Sequence, residues 1–185
     1  MVKKVLPLII VFLVALFATW SLLTPGFIPT HDGEYHIIRF FEFDKNIKAG
    51  EFFPRWAPGL NSGFGVPLFN FFYPFPNYVG EFFHLLGFSF IDSFKLTLAG
   101  GLIIGGLFFY LWIAQVWGIL GGIVGAVFYT LAPYHLVDVY IRGSVGEVWA
   151  LALFPAVLWL VEKKSLFAGV FLALIRGVAP PQLRV

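Results

Sequence analysis

The longest stretch without a charged residue runs from Leu96 to Val137, 42 residues with no Asp, Glu, Lys or Arg. A single helix of that length would measure about 63 Å, at a rise of roughly 1.5 Å per residue. This is twice the roughly 30 Å thickness of the hydrocarbon core of a bilayer. The pattern therefore predicts a hairpin of two membrane-spanning helices, joined by a short inner turn at residues 115–117.

A second apolar stretch lies at the N-terminus. Nineteen uncharged residues, Val5 to Leu23, follow Lys3 and Lys4 and are enough for one span. The stretch is long for the hydrophobic region of a signal peptide, and no small-residue cleavage site follows it. We interpret it as an uncleaved anchor, and the two lysines place the N-terminus in the cytoplasm by the positive-inside rule.

Two further segments complete the candidate spans. Val148–Val161 is followed by Glu162, Lys163 and Lys164, which indicate a second cytoplasmic end and require an even number of spans. Pro67–Phe90 is set aside because its prolines oppose a continuous helix, and its helical remainder, Asn77–Phe90, would measure only about 21 Å. Four spans are predicted at about 5–23, 94–114, 118–133 and 147–161, with an outer segment at 24–93 and an outer loop at 133–146.

Composition agrees with a membrane protein. The chain is 59% hydrophobic and 12% charged, with a mean hydropathy of +0.88, whereas soluble domains carry about 25% charged residues. The net charge of +2 gives no argument for a nucleic-acid partner. The absence of Cys excludes disulfides and thiolate metal sites and leaves the redox compartment undetermined. Gly101 and Gly105, four residues apart, suit close helix packing, although glycine is common in membrane helices in any case.

The outer segment carries most of the polar residues. An imperfect amphipathic helix is predicted from Glu34 to Lys48 and could lie along the membrane surface. We expect an apolar face, interrupted by Asp44, of Ile37, Phe40, Phe41, Phe43 and Ile47, and a polar face of Arg39, Glu42 and Asn46. The aromatic-rich residues after it suit the headgroup layer, and Trp56 could alternatively stack on a sugar or a prenyl chain.

Three acids could carry chemistry, and each has a structural alternative. Asp32 lies just outside the first predicted span, as either a functional acid or a helix N-cap. With His31 and His36 it could also contact a metal, although their spacing is not an established ligand pattern. Asp138 could serve the site or pair with Arg142 four residues on. Glu147 could likewise serve the site, or it could form a capping box with Ser144.

Arginines on the same predicted face point to phosphate. Arg39, Arg55 and Arg142 suit bidentate phosphate recognition, and with the carboxylates they suggest a phosphate-bearing lipid donor and a base for an acceptor hydroxyl. Snorkelling at the membrane surface is the alternative for any one arginine. The sequence contains no phosphate-binding glycine loop and supports no nucleophile–histidine–acid arrangement.

Several motifs together resemble a known family. They are His31-Asp-Gly33 through Arg39, Gly50-Glu-Phe-Phe-Pro-Arg-Trp56, Gly63-Phe-Gly-Val-Pro67, Phe72-Tyr-Pro74, Ala132-Pro-Tyr-His135, Tyr140-Ile-Arg142 and Glu147. As a set they resemble bacterial and archaeal membrane proteins labelled 6-pyruvoyl-tetrahydropterin synthase-related, and more broadly the GT-C glycosyltransferase superfamily. The broader likeness rests on the layout of spans and on one acid.

The resemblance implies an all-α, multispanning GT-C-like bundle that uses a polyprenyl-phosphate-linked sugar on the outer membrane face. It implies Asp32 as catalytic base or contact for a possible divalent metal, and Asp138 as an assisting acid. The candidate substrate and phosphate contacts are Arg39, Arg55, Arg142, Glu147, His31 and Trp56. The donor sugar, the acceptor and the oligomeric state are not indicated by the sequence.

GT-C proteins are usually longer and have more spans than this chain. We therefore expect residues 1–164 to be the N-terminal part of such a domain, and 165–185 to be an incomplete or frame-shifted tail, so that the chain alone could be inactive. Two other functions stay open. A flippase or transporter for lipid-linked sugars would need ionisable residues within the spans, and the second and third spans contain none. A structural membrane module would need no site at all.

Overall fold

The computed structural model describes residues 2–176, with side chains from 5 to 175. This part of the chain is helical, and its only extended pairing is an isolated antiparallel bridge between Ala57 and Val66. Short 3₁₀ turns occur at Trp20–Leu23 and Asn61–Gly63, and a π-helical turn occurs at Asp138–Arg142. The α-helices are α1 (Val2–Ala18), α2 (Gly33–Lys48), α3 (Leu68–Phe71), α4 (Phe75–Leu85), α5 (Phe90–Thr130), α6 (Pro133–Val137), α7 (Val145–Glu162) and α8 (Ala168–Arg176).

The long helix α5 folds back on itself at Gly118. Its φ of +76° and ψ of 178° lie in a region open essentially to glycine, and they divide α5 into arms at 90–117 and 119–130. The arms pack antiparallel: a Cβ atom on Gly122 would lie 2.6 Å from Ala114 Cβ, and Phe109 stacks on Tyr129. The predicted helical hairpin is confirmed, with its reversal one residue beyond the predicted turn.

Glycines on the first arm of α5 let α7 approach closely. A Cβ atom on Gly101 would lie 2.6 Å from Val148 Cγ1, and one on Gly105 would lie 3.2 Å from Ala152 Cα. Larger residues at either position would force the helices apart, so the small-residue spacing serves packing here. On another side of α5, Val11 of α1 packs in a buried cluster with Tyr110 and Ala126.

Two segments are long and apolar enough to cross a membrane by length and composition: Phe90–Arg142, which contains the hairpin, and Val145–Glu162. The apolar part of α1, Val5–Ala18, is shorter. The predicted helix through Leu23 is therefore too long. Helix α1 ends at Ala18, and the chain continues through Thr19, whose hydroxyl donates to the carbonyls of Ala15 and Leu16, into a 3₁₀ turn.

The prolines after residue 66 were predicted to prevent a continuous helix, and this is confirmed. The segment breaks into α3 and α4, and Phe72 between them is extended. The prediction of a helical remainder reaching Phe90 is wrong in length. Helix α4 ends at Leu85, and the backbone turns at Gly87, whose φ is +98°.

Helix α2 forms as predicted, with Phe40 and Phe43 buried, but its polar face does not point to solvent. Glu42 and Asn46, assigned to the polar face of the helix, are buried against another part of the chain. The Asn46 amide donates to the Trp56 carbonyl at 2.9 Å, and a Glu42 carboxylate oxygen accepts from the backbone N–H of Gly59 at 2.7 Å. The loop at 51–66 therefore covers this face of α2, a long-range contact that helical periodicity does not encode.

An unpaired acid lies at the contact between α2 and α4. Glu81 is only 4% exposed, and neither of its carboxylate oxygens has a hydrogen-bond partner among the described residues. Burial, and then the negative charge of Asp44, raise the pKa of Glu81 above its ordinary value. The folded protein therefore holds this proton more tightly than the unfolded chain does.

Stability should consequently fall as the pH rises from the ordinary glutamate pKa of 4.5 toward the raised folded value, since over that window the unfolded chain binds fewer protons. Glu81→Gln should remove this fall and stabilise the protein by about 1 kcal/mol at neutral pH, because a buried unpaired charge is lost. Thermal unfolding from pH 4 to 8 measures both effects. Glu51→Gln, on the exposed loop, is the control; equal pH dependence in wild type and Glu81→Gln would contradict the assignment.

Candidate functional site

A cleft of about 510 Å³ opens between the N-terminal half of α2, residues 71–73 and the start of α7. Helix α2 supplies Asp32, His36 and Arg39, spaced four and three residues apart so that they share one helical face. The other residues that line the cleft are Phe71, Phe72, Tyr73, Arg142, Ser144, Gly146, Glu147, Ala150 and Ile175.

Two backbone hydrogen bonds hold the distant parts of this cleft together. The N–H of His31 donates to the carbonyl of Ile141, and the N–H of Asp32 donates to that of Arg142, both at 2.9 Å. Gly143 completes the contact with a φ of +66°, and a Cβ atom there would lie 2.3 Å from Thr30 Oγ1. Only glycine fits this approach, so the start of α2 is fixed against the π-helical turn.

One wall of the cleft is an acid–arginine cluster. Arg142 forms an ion pair with Asp138 at 2.9 Å and contacts both carboxylate oxygens of Glu147 through its two terminal nitrogens. The Tyr134 hydroxyl donates to Glu147 at 2.8 Å. Asp138 is fully buried behind Arg142. Two carboxylates therefore neutralise Arg142, which makes it a poor candidate for binding another anion.

Two sequence predictions meet different outcomes in this cluster. The pairing of Asp138 with Arg142 is confirmed, although it occurs within a π-helical turn. The capping box of Ser144 and Glu147 is wrong: the Ser144 side chain makes no capping hydrogen bond, and Glu147 binds Arg142 instead. The Ser144 N–H that Glu147 would cap already donates to the Asp138 carbonyl at 3.0 Å, and the bidentate contact with Arg142 is available to the carboxylate instead.

Arg39 lies in the cleft without an acidic partner. Its guanidinium stacks 3.7 Å over the Phe72 ring, and no carboxylate of the described residues lies within ion-pair distance of it. Burial lowers the pKa of Arg39, and the nearby Tyr73 and Asp32 oppose that shift. Arginine stays charged through such shifts because its ordinary pKa is so high. Arg39 is therefore an unneutralised cation at the cleft.

His36 supports Arg39 from behind. Its ring is buried against Phe94 and Tyr73, and its Nδ1 lies 3.4 Å from an Arg39 nitrogen. Burial, with a smaller contribution from the Arg39 charge, lowers the pKa of His36 to about 3. The ring is therefore neutral at physiological pH and can accept a hydrogen bond from Arg39. Sequence reasoning considered His36 only as a metal ligand and did not find Tyr73.

Asp32 is the second group at the cleft without a charged partner. It occupies the N-cap position of α2, but its side chain makes no capping hydrogen bond. Within the described residues its carboxylate makes neither a hydrogen bond nor an ion pair. The predicted capping role is therefore not realised by the side chain, and the carboxylate is left available to a molecule in the cleft.

Three other candidate residues lie elsewhere. His31 is exposed and is not part of the cleft lining, Trp56 lies beside Gly65, and Arg55 lines a separate cleft of about 430 Å³. No group of three His, Asp or Glu side chains that could hold a metal occurs in the described part of the chain. The metal site of His31, Asp32 and His36 is therefore not assembled, and a divalent metal held by Asp32 alone stays a prediction.

No protein-family model, curated protein or solved structure matches this chain. The likeness to the GT-C superfamily therefore stays a prediction. Function has to be argued from the cleft itself.

Proposed function

We propose that this chain is a membrane protein, with the fold of the N-terminal part of a GT-C-like bundle, that transfers a sugar from a polyprenyl-phosphate donor at the outer face. The supporting observation is that Asp32 and Arg39 line one cleft and that, within the described residues, neither forms an ion pair. An available carboxylate and an available guanidinium are the two groups that such a transfer needs.

In this proposal Asp32 is the general base. Its carboxylate takes the proton of an acceptor hydroxyl as the hydroxyl oxygen forms a bond to the anomeric carbon of the sugar. The bond from that carbon to the donor phosphate breaks, and the phosphate leaves with the electron pair. Arg39 stabilises the negative charge that develops on the leaving phosphate. Every proton and electron pair is then accounted for without another reactant.

The helical surfaces favour a bilayer as the surroundings. Large apolar side chains face outward on three helices, among them Phe17 of α1, Phe128 of α5 and Phe154 of α7. Large side chains exposed on several helices of one chain are more typical of a surface in contact with lipid or a partner than of a soluble monomer. Insertion of the α5 hairpin and Val145–Glu162, with the shorter helix α1 packed against α5, would place these faces in lipid, with Lys3 and Lys4 in the cytoplasm and the cleft on the opposite side.

Donor binding tests the role of Arg39. We expect Arg39→Gln to weaken binding of a polyprenyl-phosphate sugar by about tenfold, because a charge-assisted phosphate contact is worth roughly 1.5–3 kcal/mol. The donor affinity of Arg39→Lys should lie between those of wild type and Arg39→Gln, since lysine keeps the charge but loses the bidentate geometry. Equilibrium binding of radiolabelled donor to the reconstituted protein measures the effect.

Lys164→Gln, a charge change far from the cleft in sequence, is the control and should bind like wild type. Equal donor affinity in wild type and Arg39→Gln would refute the phosphate contact. Binding without any transfer of label, at every acceptor tried, would favour the transporter over the transferase.

A further inference from the structure

We propose that the second cleft binds the phosphate of an anionic membrane lipid. This cleft, of about 430 Å³, is lined by Phe53, Pro54, Arg55, Phe69, Asn70, Pro74 and Tyr78. It is distinct from the first cleft, because no residue lines both. The proposal rests on the membrane location proposed above but not on sugar transfer.

Arg55 gives the second cleft its charge. It is the only charged residue in the lining, and its side chain makes no hydrogen bond or ion pair within the described residues. Asn70 lies in the same lining and is exposed, so its amide offers a further donor. A lone guanidinium beside an amide suits a phosphate oxyanion, which accepts several hydrogen bonds.

The cleft is built on a braced loop rather than on a free one. Ala57 and Val66 exchange two backbone hydrogen bonds, at 2.8 and 3.2 Å, which close residues 57–66, and the Tyr78 hydroxyl donates to the carbonyl of Phe52. Ala57 is buried with Phe43 and Phe69, and Asn46 holds the Trp56 carbonyl. Such bracing lowers the conformational entropy that binding would cost.

The surroundings favour a lipid over a soluble phosphate. Phe53 is 81% exposed in the cleft lining, and Phe64 on the same loop is 82% exposed, with Phe52 and Phe71 also exposed. Exposed Phe rings are typical of the apolar face of an interfacial segment, which is buried at the boundary between the headgroups and the acyl chains. A soluble phosphate would gain nothing from these rings, whereas acyl chains would cover them.

The test compares lipids that differ in charge. Native mass spectrometry of the detergent-solubilised protein, titrated with phosphatidylglycerol or phosphatidylcholine, measures the affinity for each. We expect wild type to bind phosphatidylglycerol more tightly than phosphatidylcholine. Arg55→Gln should bind phosphatidylglycerol five- to tenfold more weakly than wild type does, with its affinity for phosphatidylcholine unchanged. Arg55→Lys should recover part of the loss, Asn70→Ala should cost about twofold, and Lys164→Gln should have no effect.

Equal affinities for the two lipids in wild type, or an unchanged phosphatidylglycerol affinity in Arg55→Gln, would overturn the proposal. If glycerol phosphate displaced phosphatidylglycerol at an equal concentration, the lipid assignment would be overturned in favour of a free phosphate. Thermal unfolding confirms that each variant is folded. Binding of the sugar donor should be unchanged in Arg55→Gln, so failure of the lipid site and failure of the transferase are read separately.

Discussion

We expect Asp32→Asn to lower the rate of sugar transfer by about 100-fold or more, the usual contribution of a positioned general base. The asparagine amide is nearly the same size as the carboxylate, but it cannot take the proton of the acceptor hydroxyl at neutral pH. Donor affinity should change little, because Arg39 and not Asp32 contacts the phosphate in the proposal. Transfer of radiolabelled sugar by the protein in vesicles measures the rate, and equilibrium binding measures the affinity.

Glu34→Gln is the matched control, since Glu34 is an exposed acid on the same turn of α2 that does not line the first cleft. It should transfer at the wild-type rate. Asp32→Glu should keep part of the activity, because the base is retained but displaced by one methylene. A transfer rate in Asp32→Asn within a few fold of wild type would exclude Asp32 as the base.

Arg142→Gln should destabilise the protein by about 3 kcal/mol, because it leaves the charge of Asp138 without its partner. Asp138 is fully buried, so water cannot replace the lost ion pair. The contact with Glu147 is partly exposed and adds less. Denaturant unfolding in detergent micelles measures the change in the free energy of unfolding.

The double variant Asp138→Asn with Arg142→Gln should recover much of the lost stability, since it removes the buried charge together with its partner. Lys163→Gln is the control for loss of a positive charge, because the Lys163 side chain stacks on Trp159 and forms no ion pair in the part of the chain that the structure describes. Additive losses in the double variant would contradict the pairing as the source of the effect.

Much of the helical framework follows from local patterns. The charge-free run predicted the α5 hairpin because its length exceeds one bilayer, although the glycine at the reversal, Gly118, follows the predicted turn at 115–117. The pairing of Asp138 with Arg142 follows from their spacing of four residues. These features depend on neighbours within a turn or on the length of one segment, and a sequence states both directly.

The site depends on contacts that sequence spacing does not contain. Asp32 and Arg142 meet through backbone hydrogen bonds between residues more than a hundred positions apart. A contact across 17 residues buries Glu42 against the loop at 51–66, whereas Glu147 leaves its predicted cap for an arginine only five residues away. From the sequence alone, Arg39 and Arg142 are equivalent candidates. In the described part of the chain, Arg39 has no acidic partner and Arg142 has two.

The residues from Phe69 to Pro74 supply lining to both clefts, Tyr73 to one and its neighbour Pro74 to the other. This short strip is therefore a structural element that the two clefts share. A mutation that alters its backbone conformation is expected to change ligand binding in both clefts, so a variant designed to probe one cleft has to be tested for binding in the other as well.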